Sequence, residues 1–463
     1  MPTSTLVAGV DSSTQSTKVV VCDADTGAEI RSASAPHPPG TECAPADWLA
    51  ALRKACSGLL HEVAAISVAG QQHGLVTVDA EGNPLRPALL WNDTRSAGAA
   101  AELIAELGGP RAWADRVGSV PLASFTVTKL RWLAEHEPAN AARVQRAMLP
   151  HDWLTWELCT AGTAPVTDRG DASGTGYFVP WTGSYDTELV RHAFGRELEL
   201  PRVAGPYEAA GASAAGMLVG PGTGDNMGAA LGLGLAQGDV VVSLGTSGTV
   251  FTPTRTPSKD PSGQVAGFAD GTGAYLPLVC TLNAALVLRS TAELLGVDLR
   301  RFDELALAAE PGAGGVTVLP YFDGERTPNR PQATGVLRGI TTANATAPNL
   351  ARAAVEGMLC GLADGLDALR AQGVVVERVV LIGGSAASAA VRAVAPGVFG
   401  LPVVLPAAAQ YVAIGAARQA AWTLRQSEVP PQWQQRPGIE LAESDATFVR
   451  ERYAELREHT TDW

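Results

Sequence analysis

The sequence predicts an α/β protein of two to three domains, arranged as two related halves. Three observations carry this. The chain has 463 residues, more than one hydrophobic core usually serves. Short apolar runs of strand length alternate with stretches of helical spacing over most of it. Residues 6–22 and 240–250, about half a chain apart, share one pattern: apolar strand, turn of small hydroxyl and glycine residues, apolar strand.

Taken in order, residues 6–10 are an apolar run, Asp11-Ser12-Ser13-Thr14-Gln15-Ser16-Thr17 is a hydroxyl-rich turn, and 18–22 are apolar again. The turn offers N–H and O–H donors, with Asp11 available to a cation and Lys18 just beyond. Residues 47–63 have helical spacing, 65–69 read as a strand, and Gly70-Gln71-Gln72-His73-Gly74 form the loop after it. Open α/β sheets bind ligands at such strand ends, which draws attention to His73. A strand over 75–78, a strand over 88–91 ending in Trp91-Asn92-Asp93, and a helix over 94–107 follow. From 111 to 160 the spacing is helical with breaks expected at Pro121, Pro138 and Pro150, and 167–177 (TDRGDASGTGY) reads as a polar loop. The second half repeats the alternation. It has an apolar strand at 316–319, a charged loop over 320–328, one long helix over 348–372 stopped by Gly373, and a strand at 379–382. Gly383-Gly384-Ser385 then turns tightly into a helix of small residues over 386–394. A Gly-Gly turn lets a flat ring or a ribose approach the backbone closely.

Composition removes several function classes. A formal charge of −13 is unlike a nucleic-acid surface, which needs clustered Lys and Arg. The six cysteines are scattered with no C-x-x-C pair, as in reduced, buried thiols of a cytoplasmic protein. MPTSTLVAGVD lacks the basic region and long apolar core of a signal peptide. Residues 393–417 carry no charge, but Pro396, Pro402 and Pro406 are expected to divide them into strand-and-turn lengths rather than a membrane span.

The most informative stretch is 220–250, GPGTGDNMGAALGLGLAQGDVVVSLGTSGTV. A Gly-rich loop places Asp225 at the mouth of a small-residue helix, where free N–H groups and the dipole favour a charged carboxylate. Gly245–Gly248 then offer backbone N–H and hydroxyl groups suited to a phosphate oxygen. A proton acceptor so close in sequence to a phosphate cradle suggests phosphoryl transfer to an alcohol.

Together these segments resemble the FGGY family of carbohydrate kinases over residues 6–421. The motifs are VDSSTQSTK, VAGQQHGLV with LLWNDTR, GDNMGAALG, SLGTSG, LPYFDGERTPNRPQATGVLRGI and LIGGSAAS, in the family's order. The resemblance implies two actin-like, ribonuclease-H-like α/β domains, 1–234 and 235–463, with an interdomain active-site cleft. It implies ATP and Mg²⁺ as cofactors and a small-molecule sugar as partner, D-xylulose before ribulose, another ketose or a polyol. The sequence does not set the oligomeric state, and a homodimer is only the base-rate expectation. Carried over by position, Asp225 and Asp11 are the catalytic pair, Asp11 also holding Mg²⁺ directly or through water. Gln72, His73 and Asn226 contact the sugar, while Ser13, Thr14, Lys18, Gly245, Thr246, Gly383, Gly384 and Ser388 contact the nucleotide. The chain departs from the family's usual pattern at Gln72, where many bacterial relatives carry Met. It departs again at Ser385 and Ala387, where Gly and then a basic residue are usual. From a different class, an actin-like ATPase module without a sugar substrate shares the phosphate hairpins.

Overall fold

The hairpin expected around Asp11 forms as β1 (Leu6–Ser12) and β2 (Ser16–Asp23), antiparallel, with Asp11 opposite Lys18. It belongs to a computed structural model that describes residues 5–434, 437–442 and 446–461. The chain divides into two units. The first comprises Met1–Leu235, Thr254–Pro277 and Ala409–Gln435, and the second Ala236–Pro253, Leu278–Ala408 and Arg436–Trp463. After Leu235 the chain enters the second unit, and two later segments return to the first.

In the first unit β3 (Glu29–Pro36), β4 (Val63–Gly70), β5 (Gly211–Ala212), β6 (Leu218–Val219) and β7 (Thr223–Gly224) complete a sheet of order β5–β6–β4–β1–β2–β3, with β7 also on β4. The register is what builds the site. Parallel pairing sets Ser12 beside Gly70 and Gly224 beside the same Gly70, so β1, β4 and β7 end together. The residues that follow these ends, the 13–18 turn, Gln72-His73 and Asp225, leave the sheet at one edge. One face of the sheet buries Val10, Val19, Val68 and Trp48, and the other packs Val7, Val20 and Ala65 on Ala413 and Ala417 of the helix Tyr411–Arg425. That helix lies against the helix Asp225–Leu233 at backbone contact, which only glycine permits. A Cβ on Gly415 would fall 1.8 Å from the Gly228 oxygen, and one on Gly232 would fall 2.0 Å from the Tyr411 oxygen.

The second unit repeats the arrangement. β8 (Asp239–Leu244) and β9 (Gly248–Phe251) form an antiparallel hairpin, as the matching apolar pattern predicts. With β10 (Tyr275–Thr281), β11 (Arg378–Ile382), β12 (Val403–Pro406) and β13 (Gly438–Glu440) the order is β10–β9–β8–β11–β12–β13. β8 and β11 are parallel, with Ser243 beside Ile382, so the β8–β9 turn and the Gly383-Gly384 turn emerge side by side. The long helix Ala347–Ala371 buries Val355, Leu359, Leu362 and Leu366.

Several local expectations change. The prolines at 138 and 150 begin helices, Pro138–Ala141 and Pro150–Leu158, because the first helical turn needs no N–H from them. Between those helices Arg146–Met148 is a strand on Val76–Val78. Pro396 sits inside the helix Ala389–Phe399, where its ring sacrifices one N–H bond without ending a helix whose residues 394–399 are buried. The polar stretch 167–177 is interior, with a helical turn Arg169–Ala172 and a 3₁₀ turn Ser173–Thr175. All six cysteines are free thiols. Among the described residues, no helix is long and apolar enough to cross a membrane.

Candidate active site

Asp225 is the first residue of its helix, as the Gly-rich loop suggested, and Asn226 N–H donates to its Oδ1 at 2.9 Å. The Asn226 amide bridges two groups, donating to Asp225 Oδ1 at 3.0 Å and to Gln72 Oε1 at 2.8 Å. The carboxylate side chain is half-buried. Burial, with the negative charges of Asp11 and Asp171 nearby, pushes its pKa up to about 8. The helix N-terminus pulls the other way and does not prevail.

Asp11 is buried, which raises its pKa, and it is held by the Ser13 hydroxyl and by Lys18 Nζ at 3.3 Å. Thr14 Oγ1 accepts from Trp91 Nε1 at 2.8 Å, tying the LLWNDTR segment to the turn. His73 is buried on left-handed backbone, φ +67°, with Nδ1 2.6 Å from the Gly174 oxygen. Its ring packs against Phe125 and Phe268, with centroids at 4.7 and 5.6 Å. The first unit thus gathers Asp11, Ser13, Lys18, Gln72, His73, Asp225 and Asn226 at one sheet edge.

Sequence reasoning missed what lies beneath them. His151, Asp152, Asp168 and Asp171 are all essentially out of solvent. His151 Nδ1 is 2.6 Å from Asp171 Oδ2, and its Nε2 is 3.2 Å from Asp152 Oδ1 and 4.0 Å from Asp168 Oδ1. Desolvation lowers the His151 pKa, but the three carboxylates outweigh it and carry the group up to about 9. Asp152 and Asp171 are pushed up to about 6, mainly by burial. Asp168 accepts from Thr223 Oγ1 and from Gly170 and Asp171 N–H, each at 2.9 Å. The only sequence signal was the pair of aspartates three apart in TDRGDASG, in a stretch read as a polar loop that either frames a sugar's hydroxyls or lies at the surface.

In the second unit, a cavity of about 550 Å³ lies between the β8–β9 turn and the Gly383-Gly384 turn. Gly245, Thr246, Gly384 and Ser388 line it, together with Arg289, Phe302 and Asp303, which the sequence did not single out. Gly383 has φ +95° and abuts β8, where a Cβ would fall 2.5 Å from the Leu244 oxygen, whereas a Cβ on Gly384 meets nothing within 4 Å. Gly383 is therefore needed for backbone packing, and Gly384 faces open space. Ser388 caps the helix Ala389–Phe399 and donates its hydroxyl to Asp303 at 2.6 Å, and Ala389 N–H donates to the same carboxylate at 2.8 Å. Ser385 and Ala387, the two departures, also line the cavity.

Among the described residues no group of three or more His, Cys, Asp or Glu has the geometry of a metal cage. A magnesium ion that binds with a nucleotide needs less, because it keeps several waters and takes phosphate oxygens beside one or two carboxylates. Asp11 fits that requirement. Beside it Ser12 Oγ and both polar atoms of the Gln71 amide are buried without a hydrogen-bond partner.

Comparison with known proteins accounts for both halves. Residues 6–232 match the N-terminal domain, and residues 240–424 the C-terminal domain, of the FGGY family of carbohydrate kinases. The chain is 49% identical to a xylulose kinase of Streptomyces coelicolor over 90% of its own length and 88% of that protein's. It is 47% identical to one from Streptomyces rubiginosus over 95% and 93%. The crystal structure of a xylulose kinase from Bifidobacterium adolescentis superposes with a TM-score of 0.90 at 45% identity, covering 98% of this chain and 99% of that one.

Proposed function

Because the chain belongs to the FGGY family of carbohydrate kinases, with that family's actin-like fold, we propose that it phosphorylates D-xylulose at its terminal hydroxyl using ATP. The observation that carries the sugar's identity is near-full-length similarity to the two Streptomyces xylulose kinases.

In this reading the ketose lies against Gln72, His73 and Asn226, and its hydroxyl faces Asp225. The hydroxyl oxygen forms a bond to the γ-phosphorus while the bond from that phosphorus to the ADP oxygen breaks, and the hydroxyl proton passes to Asp225. An acceptor pKa near 8 suits the task, since a general base works best when its pKa is close to the working pH. The phosphoryl transition state is loose, so placement and charge neutralisation dominate. Lys18, Ser13 and Thr14 on the first hairpin and Gly245 and Thr246 on the second supply donors to the phosphates. Gly384 and the cavity beside Ser388 take the adenosine. Mg²⁺, held by Asp11 directly or through water, would neutralise phosphate charge. Six free thiols suit a reducing cytoplasm.

The test is a coupled ADP-release assay with Mg²⁺ and ATP over a panel of D-xylulose, D-ribulose, other ketoses and polyols. The reading requires kcat/KM to be highest for D-xylulose. Preference for ribulose or a polyol would reassign the substrate, and equal ATP turnover without sugar would favour an ATPase module.

A further inference from the structure

Behind the loop that carries His73 stands a lysine with no access to solvent. Lys129 is 0% exposed, and its ammonium donates to the His73 carbonyl at 2.9 Å and to the Ser124 carbonyl at 2.5 Å. Thr126 Oγ1 donates to the same His73 oxygen at 3.0 Å. Thr126 and Lys129 lie on one turn of the helix Thr126–His136, and Phe125, against the His73 ring, is its N-cap residue. One helix end therefore grips both the backbone and the ring of His73.

That grip has a conformational purpose. Non-glycine residues seldom adopt positive φ, and those that do persist only where the surroundings over-determine them. Two donors converging on the His73 oxygen are such a constraint. On the ring side, a carbonyl can only accept, so the short contact to the Gly174 oxygen means Nδ1 carries the hydrogen. In a neutral ring Nε2 is then the accepting nitrogen. An apolar side chain would fill the Lys129 position without the desolvation penalty of an amine, which is large enough to lower its pKa to about 7.

We propose that Lys129 is a positioning residue for sugar recognition. Its hold on the His73 carbonyl fixes the left-handed backbone that sets where the imidazole stands on the sugar side of the site. This rests on the reading that places His73 against the sugar.

The experiment compares Lys129→Met, Thr126→Val, His73→Asn and the Lys129→Met/His73→Asn double variant, with steady-state kinetics for each substrate and thermal melting of each protein. Lys129→Met should raise KM for D-xylulose about 10-fold, the effect of losing one buried hydrogen bond, while KM for ATP stays within about twofold. Thr126→Val, nearly unchanged in volume, should raise it by about threefold, and this arm decides if Lys129→Met does not fold. In the His73→Asn background Lys129→Met should add nothing to the sugar KM, because the lysine acts only through that histidine. An unchanged sugar KM in Lys129→Met, a parallel rise in both KM values, or full additivity in the double variant would overturn the proposal. If His73→Asn itself leaves the sugar KM at the wild-type value, the sugar-side reading of that loop fails instead.

Discussion

Replacing His151 with Gln tests the buried charge cluster. The wild-type interior holds one imidazolium against Asp152, Asp168 and Asp171, with the nearest carboxylate oxygen at 2.6 Å. Gln keeps a polar group of similar size but removes the charge. Breaking a buried ion pair from one side destabilises by about 3–5 kcal/mol, because the partner charges stay buried and unpaired. For a unit of this size that corresponds to a melting point lower by roughly 10 °C at pH 7.5. The pH dependence gives a sharper check. His151 titrates at about 9 in the fold, above its unfolded value, so its stabilisation is fully present below about pH 6.5 and is lost only as pH rises through 9. Asp152 and Asp171 are also raised, to about 6, so their contribution is favourable at low pH and is lost as pH rises through 6. At pH 7.5 the wild type takes up nearly one proton on folding at His151, and as pH rises through 9 it loses up to about 1.4 kcal/mol per pH unit from that source, which the variant lacks. Differential scanning calorimetry from pH 7.5 to 9.5 should show wild type losing stability more steeply than the variant. A variant that falls as steeply would refute the charge argument, and a variant melting within 2 °C of wild type at pH 7.5 would refute the assignment of a protonated His151.

Three further outcomes follow from the geometry. Asp225→Asn should lower kcat by about 10²–10⁴-fold while ATP binding measured by calorimetry stays near wild type, and turnover near wild type would remove Asp225 from the role of base. Gly415→Ala drives a Cβ to 1.8 Å from the Gly228 oxygen, so a stability loss of about 1–3 kcal/mol and a reduced kcat are expected, and an unaltered melting curve would contradict the close packing. Asp303→Ala removes the acceptor that braces Ser388 and Ala389 beside the second-unit cavity. KM for ATP should rise roughly 5- to 10-fold with KM for sugar unchanged, and the reverse pattern would displace the nucleotide from that cavity.

What the sequence disclosed was chemistry carried by contiguous residues. The two hairpins could be read because alternating apolar runs and a hydroxyl or glycine turn specify a strand pair locally, and β1–β2 and β8–β9 formed as expected. The Gly383-Gly384 turn and the helix start at Asp225 were likewise legible from their immediate neighbours. The buried cluster was not, because its members come from the helix Pro150–Leu158 and from a turn that only tertiary burial converts from polar loop to interior. Nothing at His151 alone distinguishes it from a surface histidine on a helix. Lys129 was hidden in the same way, since a lysine in an amphipathic helix normally marks the solvated face. Pro396 misled for the opposite reason: a local breaker was overridden by a helix whose burial outweighs one missing hydrogen bond.

Asp225 shows which of two competing effects sets the site's chemistry. From sequence, the helix N-terminus argued for an easily ionised carboxylate, an effect typically worth 0.3–1 kcal/mol and about 2 kcal/mol at most. Against it stand burial and the negative charges of Asp11 and Asp171, which together raise the group from the usual 3.8 to about 8. A shift of that size corresponds to roughly 6 kcal/mol, and discounting it for partial exposure leaves the order unchanged. The residues that raise it come from the ends of separate segments brought together by the sheet register, so a helix-capping argument made on residues 220–234 alone has the wrong sign. Because the folded value lies above the unfolded one, this carboxyl opposes folding of the ligand-free protein increasingly as pH rises toward 8. The same environment leaves Asp225 basic enough to take a hydroxyl proton near neutral pH, which an ordinary surface carboxylate does poorly.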